Sequence, residues 1–184
     1  MNHCYQNIPG WFDFQDVYAQ AARDAADGDS FVEVGAWQGR STAFMAVEIA
    51  NSGKRIAFDV VDTWEGNEGE PETYPPPGKT LRELFDANML ANGLVVNAVQ
   101  ATSVAAACGY SEASLAFVYI DADHTHEAVL ADCRAWWPKV KPAGTMAGHD
   151  IGRVSVINAV FKFAAETGFG VKSQNTSWII KKPY

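Results

Sequence analysis

Residues 31–42 read FVEVGAWQGRST, and this stretch decides the fold class. Its first four residues form a short apolar run that is typical of a buried strand. Gly35 and Gly39 then predict a tight turn at which the backbone approaches a ligand closely. A helix is predicted over 41–50, and its first amides and the Ser41 hydroxyl suit a ligand carboxylate. The alternative is a plain strand–helix turn capped by Ser41.

The rest of the chain repeats this alternation of strand and helix. We predict strands at 31–34, 56–61, 94–99, 116–120 and 144–148, a terminal strand pair near 170–181, and helices at 14–27, 41–50, 79–92, 125–137 and 154–167. Such a pattern implies an α/β fold: a doubly wound, Rossmann-like, mostly parallel sheet with helices on both faces. No repeat or linker divides the chain, so residues 1–184 are taken as one domain. Ligands bind such sheets at the carboxyl ends of the strands, here after strands 1, 2, 4 and 5.

Charge and composition limit the partners of the protein. The 184 residues carry a formal net charge of −8, which argues against a broad electrostatic contact with nucleic acid or an anionic membrane. Six acidic residues and no basic ones lie between Asp59 and Glu72, around an acidic Pro/Gly-rich insertion at 63–78. No signal peptide or membrane span is evident, and the three cysteines lack metal-site spacing. We therefore expect a cytoplasmic protein with reduced thiols and a small or cationic ligand.

Asp62 ends the second predicted strand, downstream of the glycine turn. An acidic residue at that position accepts hydrogen bonds from ribose hydroxyls, whereas by itself it would be an ordinary loop aspartate. The two glycines are four residues apart, so the turn is not the GxGxxG dinucleotide motif. An NAD-type oxidoreductase is therefore an alternative and not the first choice.

Carboxylates and imidazoles follow the fourth and fifth predicted strands. The side chains concerned are Asp121, Asp123, His124 and His126 after one strand, and His149 and Asp150 after the other. Neighbouring carboxylates that are left unpaired repel each other, which favours a bound divalent cation or protonation. The alternative is helix capping by Asp123 together with solvated histidines.

Two longer stretches resemble a known family. The run EVGAWQGRSTAFMA at 33–46 resembles the first motif of class I S-adenosylmethionine-dependent methyltransferases, especially the metal-dependent catechol-type O-methyltransferases. The run FVYIDADHTHEAVLADCRAWWPKVKPAGTMAGHD at 117–150 resembles their strand 4–helix–strand 5 region. The chain is most similar to the branch with macrocin-type sugar O-methyltransferases, including NIPGWFDF near the start and SWIIKK near the end. The similarity is weakest over 63–93.

The resemblance implies a binding site for S-adenosylmethionine. Its implied residues are Gly35 and Gly39 at the methionine end, Ser41 and Glu33 at its polar groups, Asp62 at the ribose, Thr102 and Ser103 near the adenine, and Asp121 near the sulfonium.

The resemblance also implies a site for Mg²⁺ or another divalent cation, in two versions. The catechol-type pattern places Asp121, His149 and Asp150 as ligands and His124 as the general base. The sugar-type pattern favours Asp123 as the first ligand instead. His149 stands where a carboxylate is usual, so the identity of the metal stays open.

The implied reaction is methyl transfer to a hydroxyl of a small molecule, a sugar or a phenol-like compound. Residues 1–28 would form an N-terminal helical lid, and Trp11, Phe12, Trp64 and Tyr74 are the aromatic residues expected over the acceptor. Trp64 is the first choice among them for contact with substrate or adenine. A non-catalytic S-adenosylmethionine-binding protein is a further alternative, and a homodimer is compatible with the sequence.

Overall fold

A seven-stranded sheet organises residues 1–67 and 74–184, which are the residues that the computed structural model describes. The strands are β1 (Ser30–Val34), β2 (Ala57–Asp62), β3 (Asn97–Gln100), β4 (Leu115–Ile120), β5 (Val140–Gly148), β6 (Lys172–Gln174) and β7 (Ser177–Lys181). The helices are α1 (Gln15–Asp24), α2 (Arg40–Ser52), α3 (Leu81–Ala91), α4 (Ser103–Ala107), α5 (His126–Trp136) and α6 (Val154–Thr167).

The strand order is β3-β2-β1-β4-β5-β7-β6. The first five strands pair in parallel, and β7 pairs antiparallel with both β5 and β6. This confirms the α/β class, since the chain returns through a helix between parallel strands. No helix among the described residues is both long and apolar enough to cross a membrane.

Helices cover both faces of the sheet because alternate side chains of each strand point to opposite faces. Val32 and Val34 of β1 join the core beneath α4, α5 and α6. Phe31 of β1 belongs to the core beneath α1 and α2. Glu33 shares that second face, so its carboxylate is enclosed by α1 and α2.

Two predicted strands differ from the observed ones. The predicted strand 94–99 is β3 at Asn97–Gln100, because the amide of Leu94 still bonds to the carbonyl of Met89 and closes α3. The predicted strand 144–148 begins earlier, at Val140, and a register shift in its pairing with β4 accommodates the Pro142–Gly144 stretch. The sequence of that stretch is typical of a turn, which hid the first half of the strand.

The helices follow the predictions more closely. Helix α6 spans the predicted 154–167, and Gly168 ends it in the left-handed region. Thr80 and Glu83 form a capping box at the start of α3, so the helix begins at Leu81. The five-residue helix α4 was not predicted, because it is too short to show a hydrophobic period. Of the predicted insertion at 63–78, residues 68–73 lie outside the described residues.

Candidate functional site

The glycine turn between β1 and α2 lies directly against the end of β4. Gly35 has a φ of +88°, and a Cβ built on it would lie 2.0 Å from the carbonyl oxygen of Asp121. Gly39 has a φ of +90° and is the N-cap of α2, so the helix begins at Arg40 and not at Ser41. Glycine is required at both positions because side chains there would meet neighbouring segments. Ser41 lines the resulting cavity.

Asp62 fixes the other side of this turn. One of its carboxylate oxygens accepts hydrogen bonds from the amides of Ala36 and Trp37, at 2.7 and 2.9 Å. The other oxygen accepts a bond from the amide of Trp64 at 2.7 Å. Trp37 and Trp64 both have positive φ angles, and the Trp64 indole donates to the Trp37 carbonyl. The end of β2 is thereby joined to the glycine turn mainly through backbone groups.

Glu33 lies beneath the turn and does not line the cavity. Its carboxylate accepts hydrogen bonds from the hydroxyls of Tyr18, Thr42 and Ser41. Burial raises the pKa of Glu33 to about 7, against the lowering effect of these bonds. The resemblance implied direct cofactor contact for Glu33, whereas the structure connects it to the cavity through Ser41.

Asp121, His124 and Asp150 meet at the carboxyl ends of β4 and β5. One ligand atom from each lies within 4.8 Å of the others. The His124 Nε2 is 3.0 Å from an Asp150 oxygen and 3.6 Å from an Asp121 oxygen. We call these three residues the carboxylate–histidine cluster; two carboxylates and an imidazole are a donor set that suits a hard divalent cation.

His149 lies beside this cluster and is held by the N-terminal segment. Its Nδ1 is 3.4 Å from an Asp121 oxygen, and its Nε2 is 2.9 Å from an Asp13 oxygen. Thr176, in the turn between β6 and β7, donates a hydrogen bond to the same Asp13 oxygen at 2.6 Å. Asp13 was not predicted as a site residue, although it lies in the NIPGWFDF run that resembles the sugar-type branch.

The cluster balances its own charge. Burial acts to lower the pKa of His124 and of His149, but the neighbouring carboxylates outweigh it and raise both to about 9. Burial likewise acts to raise the pKa of Asp121, and the two histidines reverse this and lower it. For Asp150, the hydrogen bond with His124 is the main cause of a lowered pKa. Near neutral pH both imidazoles are therefore protonated on both nitrogens and positively charged. A bound cation would displace this additional proton.

The other predicted polar residues lie around this centre. Asp123 lines the cavity but stays outside the three-residue cluster, and its carboxylate accepts a hydrogen bond from the Thr125 amide at 2.6 Å. Thr125 itself caps α5, so His126 is the first residue of that helix. Thr102 and Ser103 line the cavity at the start of α4.

The four aromatic residues expected over the acceptor divide into two that line the cavity and two, Trp64 and Tyr74, that do not. Trp11 and Phe12 line the cavity, and the Trp11 ring lies 5.2 Å from that of Trp37 at its mouth. Trp64 is only 4% exposed, because it packs on Phe85 in the core. The first choice among the aromatic residues is thus placed in a structural role.

The residues described above as lining a cavity all line the same one, which has a volume of about 820 Å³. Asp62 and the glycine turn line one part of it, and the carboxylate–histidine cluster with Asp13 lines another. Asp132 of α5 also lines the cavity, although it is 4% exposed and was not predicted. The volume suits a cofactor together with a small second ligand.

A family model described as a methyltransferase domain matches residues 32–151. No curated protein matches the sequence. Among solved structures, a Corynebacterium glutamicum protein is 12% identical, with coverage of 97% of this chain and 85% of its own and a TM-score of 0.71. The O-methyltransferase NovP is 15% identical, with coverage of 92% and 79% and a TM-score of 0.71.

CalS11, a calicheamicin methyltransferase, is 15% identical to the chain, with coverage of 91% of this chain and 76% of its own and a TM-score of 0.60. At these identities the likeness shows a shared fold. It agrees with the parallel sheet and the strand order described above.

Proposed function

The chain belongs to the methyltransferase-domain family, and from this premise we propose that it transfers a methyl group from S-adenosylmethionine to a hydroxyl of a small molecule. The observation that carries the proposal is the cavity that these groups share. It brings a ribose-type acid, Asp62, and a divalent-cation donor set at the ends of β4 and β5 into one enclosure. The family match supports S-adenosylmethionine as the cofactor, and the oxygen acceptor and the metal are our own assignments.

In the proposed reaction the S–CH₃ bond of the sulfonium breaks while an O–CH₃ bond forms, and the hydroxyl proton leaves. Such a displacement depends mainly on alignment, and holding both reactants in line lowers the barrier by roughly 7–11 kcal/mol. The glycine turn and Asp62 would orient the cofactor. Trp11 and Phe12, from the proposed N-terminal lid, would exclude water above the acceptor.

Asp121, His124 and Asp150 would hold the divalent cation. The fit rests on the donor types and on their separation of at most 4.8 Å, which one ion can bridge. When bound, Mg²⁺ lowers the pKa of a coordinated hydroxyl and orients it.

His124 was predicted as the general base, and its place among the donors changes that assignment. With His124 as a ligand, His149 is the neighbouring imidazole that would accept the hydroxyl proton, once the positive charge of a bound cation has displaced the proton that His149 carries near neutral pH. The Asp13 carboxylate contacts the Nε2 atom of His149, and the Nδ1 atom of His149 faces Asp121 of the carboxylate–histidine cluster. A carboxylate that orients an imidazole in this manner is a common arrangement for a base.

Calorimetric titration with S-adenosylhomocysteine tests the cofactor assignment. We expect binding by the wild type and an affinity about 10- to 100-fold lower for Asp62→Asn, because the ribose loses a charged acceptor. Asp59→Asn is the matched control: Asp59 lies on the same strand, outside the cavity, and bonds to Tyr110 and Asn97. An unchanged affinity for Asp62→Asn would remove this residue from the site.

A thermal-unfolding measurement with either ligand separates the proposed function from the oxidoreductase alternative. Thermal stabilisation by NADH and none by S-adenosylhomocysteine would contradict the proposal. Incubation with labelled S-adenosylmethionine, Mg²⁺ and a panel of sugars and phenols then tests the acceptor class. Label that appears only on amine or carbon positions would contradict the hydroxyl assignment.

A further inference from the structure

Residues 8–14, all of which the structure describes, form neither a helix nor a strand. We call them the N-terminal strap, because residues 10–13 run along the cavity and line it. Ile8 at one end and Phe14 at the other are each 1% exposed, so both ends are buried in the core. A segment without a helix or a strand ladder depends on side chains to bond its backbone groups. The path of the strap between its two buried ends is therefore set by the side chains that contact it.

Arg40, the first residue of α2, contacts the start of the strap. Its Nη1 donates hydrogen bonds to the carbonyl of Gly10 at 2.9 Å and to that of Ile8 at 3.3 Å. The guanidinium also lies over the Tyr5 ring, with Cζ 5.9 Å from the ring centroid. A charged donor makes a stronger hydrogen bond than a neutral one. The backbone at Gly10 is thereby joined to the first turn of α2, directly after the glycine turn.

Gly10 lets the strap approach the glycine turn closely. It has a φ of +134°, and a Cβ built on it would lie 3.2 Å from the Trp37 ring and 3.5 Å from the Arg40 Cβ. The ring of Trp11, the next residue, lies 5.2 Å from that of Trp37, although Trp11 is 64% exposed. The position of the Trp11 ring therefore depends on the position of the Gly10 backbone, which Arg40 holds.

Asp13 fixes the far part of the strap, through His149 and Thr176. Three residues of extended chain span at most about 11 Å, so little slack is available between Gly10 and Asp13. A displacement of Gly10 is consequently passed on to Asp13. The two attachments, at Arg40 and at Asp13, connect the glycine turn to the carboxylate–histidine cluster across the cavity.

We propose that Arg40 is a positioning residue, which keeps Trp11 and Asp13 at the cavity by holding the carbonyls of Ile8 and Gly10. Arg40 itself contacts no reacting group in this assignment. Its consequence for methyl transfer rests on the proposed function, in which the strap covers the acceptor and Asp13 orients His149.

Two other roles of Arg40 make different predictions. Its Nε is buried and has no hydrogen-bond partner among the described residues, so the first is direct binding of a ligand anion in the cavity. The second is a contribution to the stability of α2 alone. In both cases the strap would keep its place when Arg40 is replaced, which gives the test its criterion.

Chymotrypsin cleavage of the full chain after Trp11 or Phe12 measures how often the strap detaches, because the protease acts on the opened segment. Arg40→Met keeps the length of the side chain and removes its donors. We expect this variant to be cleaved there about 10- to 100-fold faster than the wild type, since two hydrogen bonds from a charged donor are lost. Arg55→Met, at an exposed pair with Asp27, should be cleaved at the wild-type rate. A wild-type rate for Arg40→Met would overturn the inference.

Fluorine NMR distinguishes release of the strap from a general loss of structure. In protein labelled with 5-fluorotryptophan, we expect Arg40→Met to move the Trp11 signal, assigned with Trp11→Phe, toward that of the free amino acid. The signals of the buried Trp136 and Trp178 should stay in place. Arg40→Lys should recover most of the wild-type position of the Trp11 signal, since an ammonium group also donates to carbonyls. Displacement of all three signals by both variants would assign Arg40 to the stability of α2 and overturn the inference.

Calorimetric titration with S-adenosylhomocysteine separates this inference from the proposed function. We expect the affinity of Arg40→Met to stay within about threefold of the wild type, because the guanidinium is bonded to the strap and not to the ligand. A loss of about 30-fold or more with an unchanged Trp11 signal would show direct ligand binding by Arg40 and overturn the inference. A wild type that binds no S-adenosylhomocysteine, with a Trp11 signal that moves in Arg40→Met, would overturn the proposed function and support the role of Arg40 in holding the strap.

Discussion

The two ends of the cavity are held together by different kinds of interaction. At the glycine turn, the Asp62 carboxylate accepts hydrogen bonds from three backbone amides, so its position is set by the path of the backbone. At the ends of β4 and β5, side chains pair with side chains: His124 with Asp150, and His149 with Asp13. The contacts of the first end therefore depend on the path of the backbone, whereas those of the second depend on the charges of its side chains.

The same contrast appears in the carboxyl groups. Glu33, enclosed by hydroxyls beneath the turn, has its pKa raised to about 7 by burial. Asp121 and Asp150 have lowered pKa values, because the two histidines supply positive charge that outweighs burial. One end of the cavity is therefore organised by backbone geometry and hydrogen bonds. The other is organised by the charges of its carboxylates and histidines, and a bound cation would supply the positive charge in place of the histidines.

Gly35 is where the two ends touch, and its replacement has the largest expected effect. A Cβ at Gly35 would lie 2.0 Å from the Asp121 carbonyl oxygen and 2.9 Å from the Ala122 Cα. We expect Gly35→Ala to lower the free energy of unfolding by about 4 kcal/mol or more, since both backbone strain and overpacking apply. Denaturant unfolding measures the change.

Gly53→Ala is the matched control for that variant. Gly53 also has a positive φ, of 69°, but nothing lies within 4 Å of a Cβ built on it. It carries the strain without the clash, so a loss of about 1 kcal/mol is expected. Equal losses for the two variants would show that the close approach of the two ends contributes nothing.

Asp150→Asn tests the charge balance at the second end. Asp150 has a φ of +58°, a conformation that asparagine also tolerates, so the backbone is preserved. We expect the EDTA-sensitive methyl-transfer rate to fall by about 100-fold, since a ligand oxygen loses its charge. Asp86→Asn, in an exposed pair with Arg82, should leave the rate unchanged. A wild-type rate that EDTA does not affect would remove the metal from the proposal.

Glu33→Gln probes the first end through a change in stability that depends on pH. The folded-state pKa of about 7 lies above the ordinary glutamate pKa of 4.5, so the group's stabilising contribution is present below pH 4.5 and is lost as the pH rises through 7. We expect the stability of the variant relative to the wild type to increase by on the order of 2–3 kcal/mol between pH 4.5 and 8. Thermal unfolding across that range measures it.

Glu112→Gln, a change at an exposed carboxyl, should show no such dependence on pH. A relative stability of Glu33→Gln that stays constant from pH 4.5 to 8 would contradict the burial of a charge beneath the turn.

The sequence predicted those parts of the site that follow strands directly. Asp62, Asp121 and Asp150 lie at strand ends, and parallel strands bring their carboxyl ends to one edge of the sheet. Asp13 and Asp132 were missed because neither follows a strand: one lies in the N-terminal segment and the other in the middle of a helix. Their positions depend on how these elements pack, which local patterns do not encode.

Trp64 shows the opposite failure. Its place two residues after Asp62 predicted an exposed aromatic residue, but a positive φ of 55° turns the ring inward against Phe85. A positive φ at a tryptophan is uncommon, and here the Asp62 carboxylate stabilises it through the Trp64 amide. The sequence predicted the loop correctly and could not predict the direction in which its side chain points.

The contact between Asp13 and Thr176 joins residues that are 163 positions apart. During synthesis at about 5–20 residues per second, Asp13 leaves the ribosome roughly ten to thirty seconds before Thr176. Its two partners, His149 and Thr176, both belong to the last quarter of the chain. The contacts of Asp13 with His149 and Thr176 can therefore form only after the segments that carry these two residues have been synthesised.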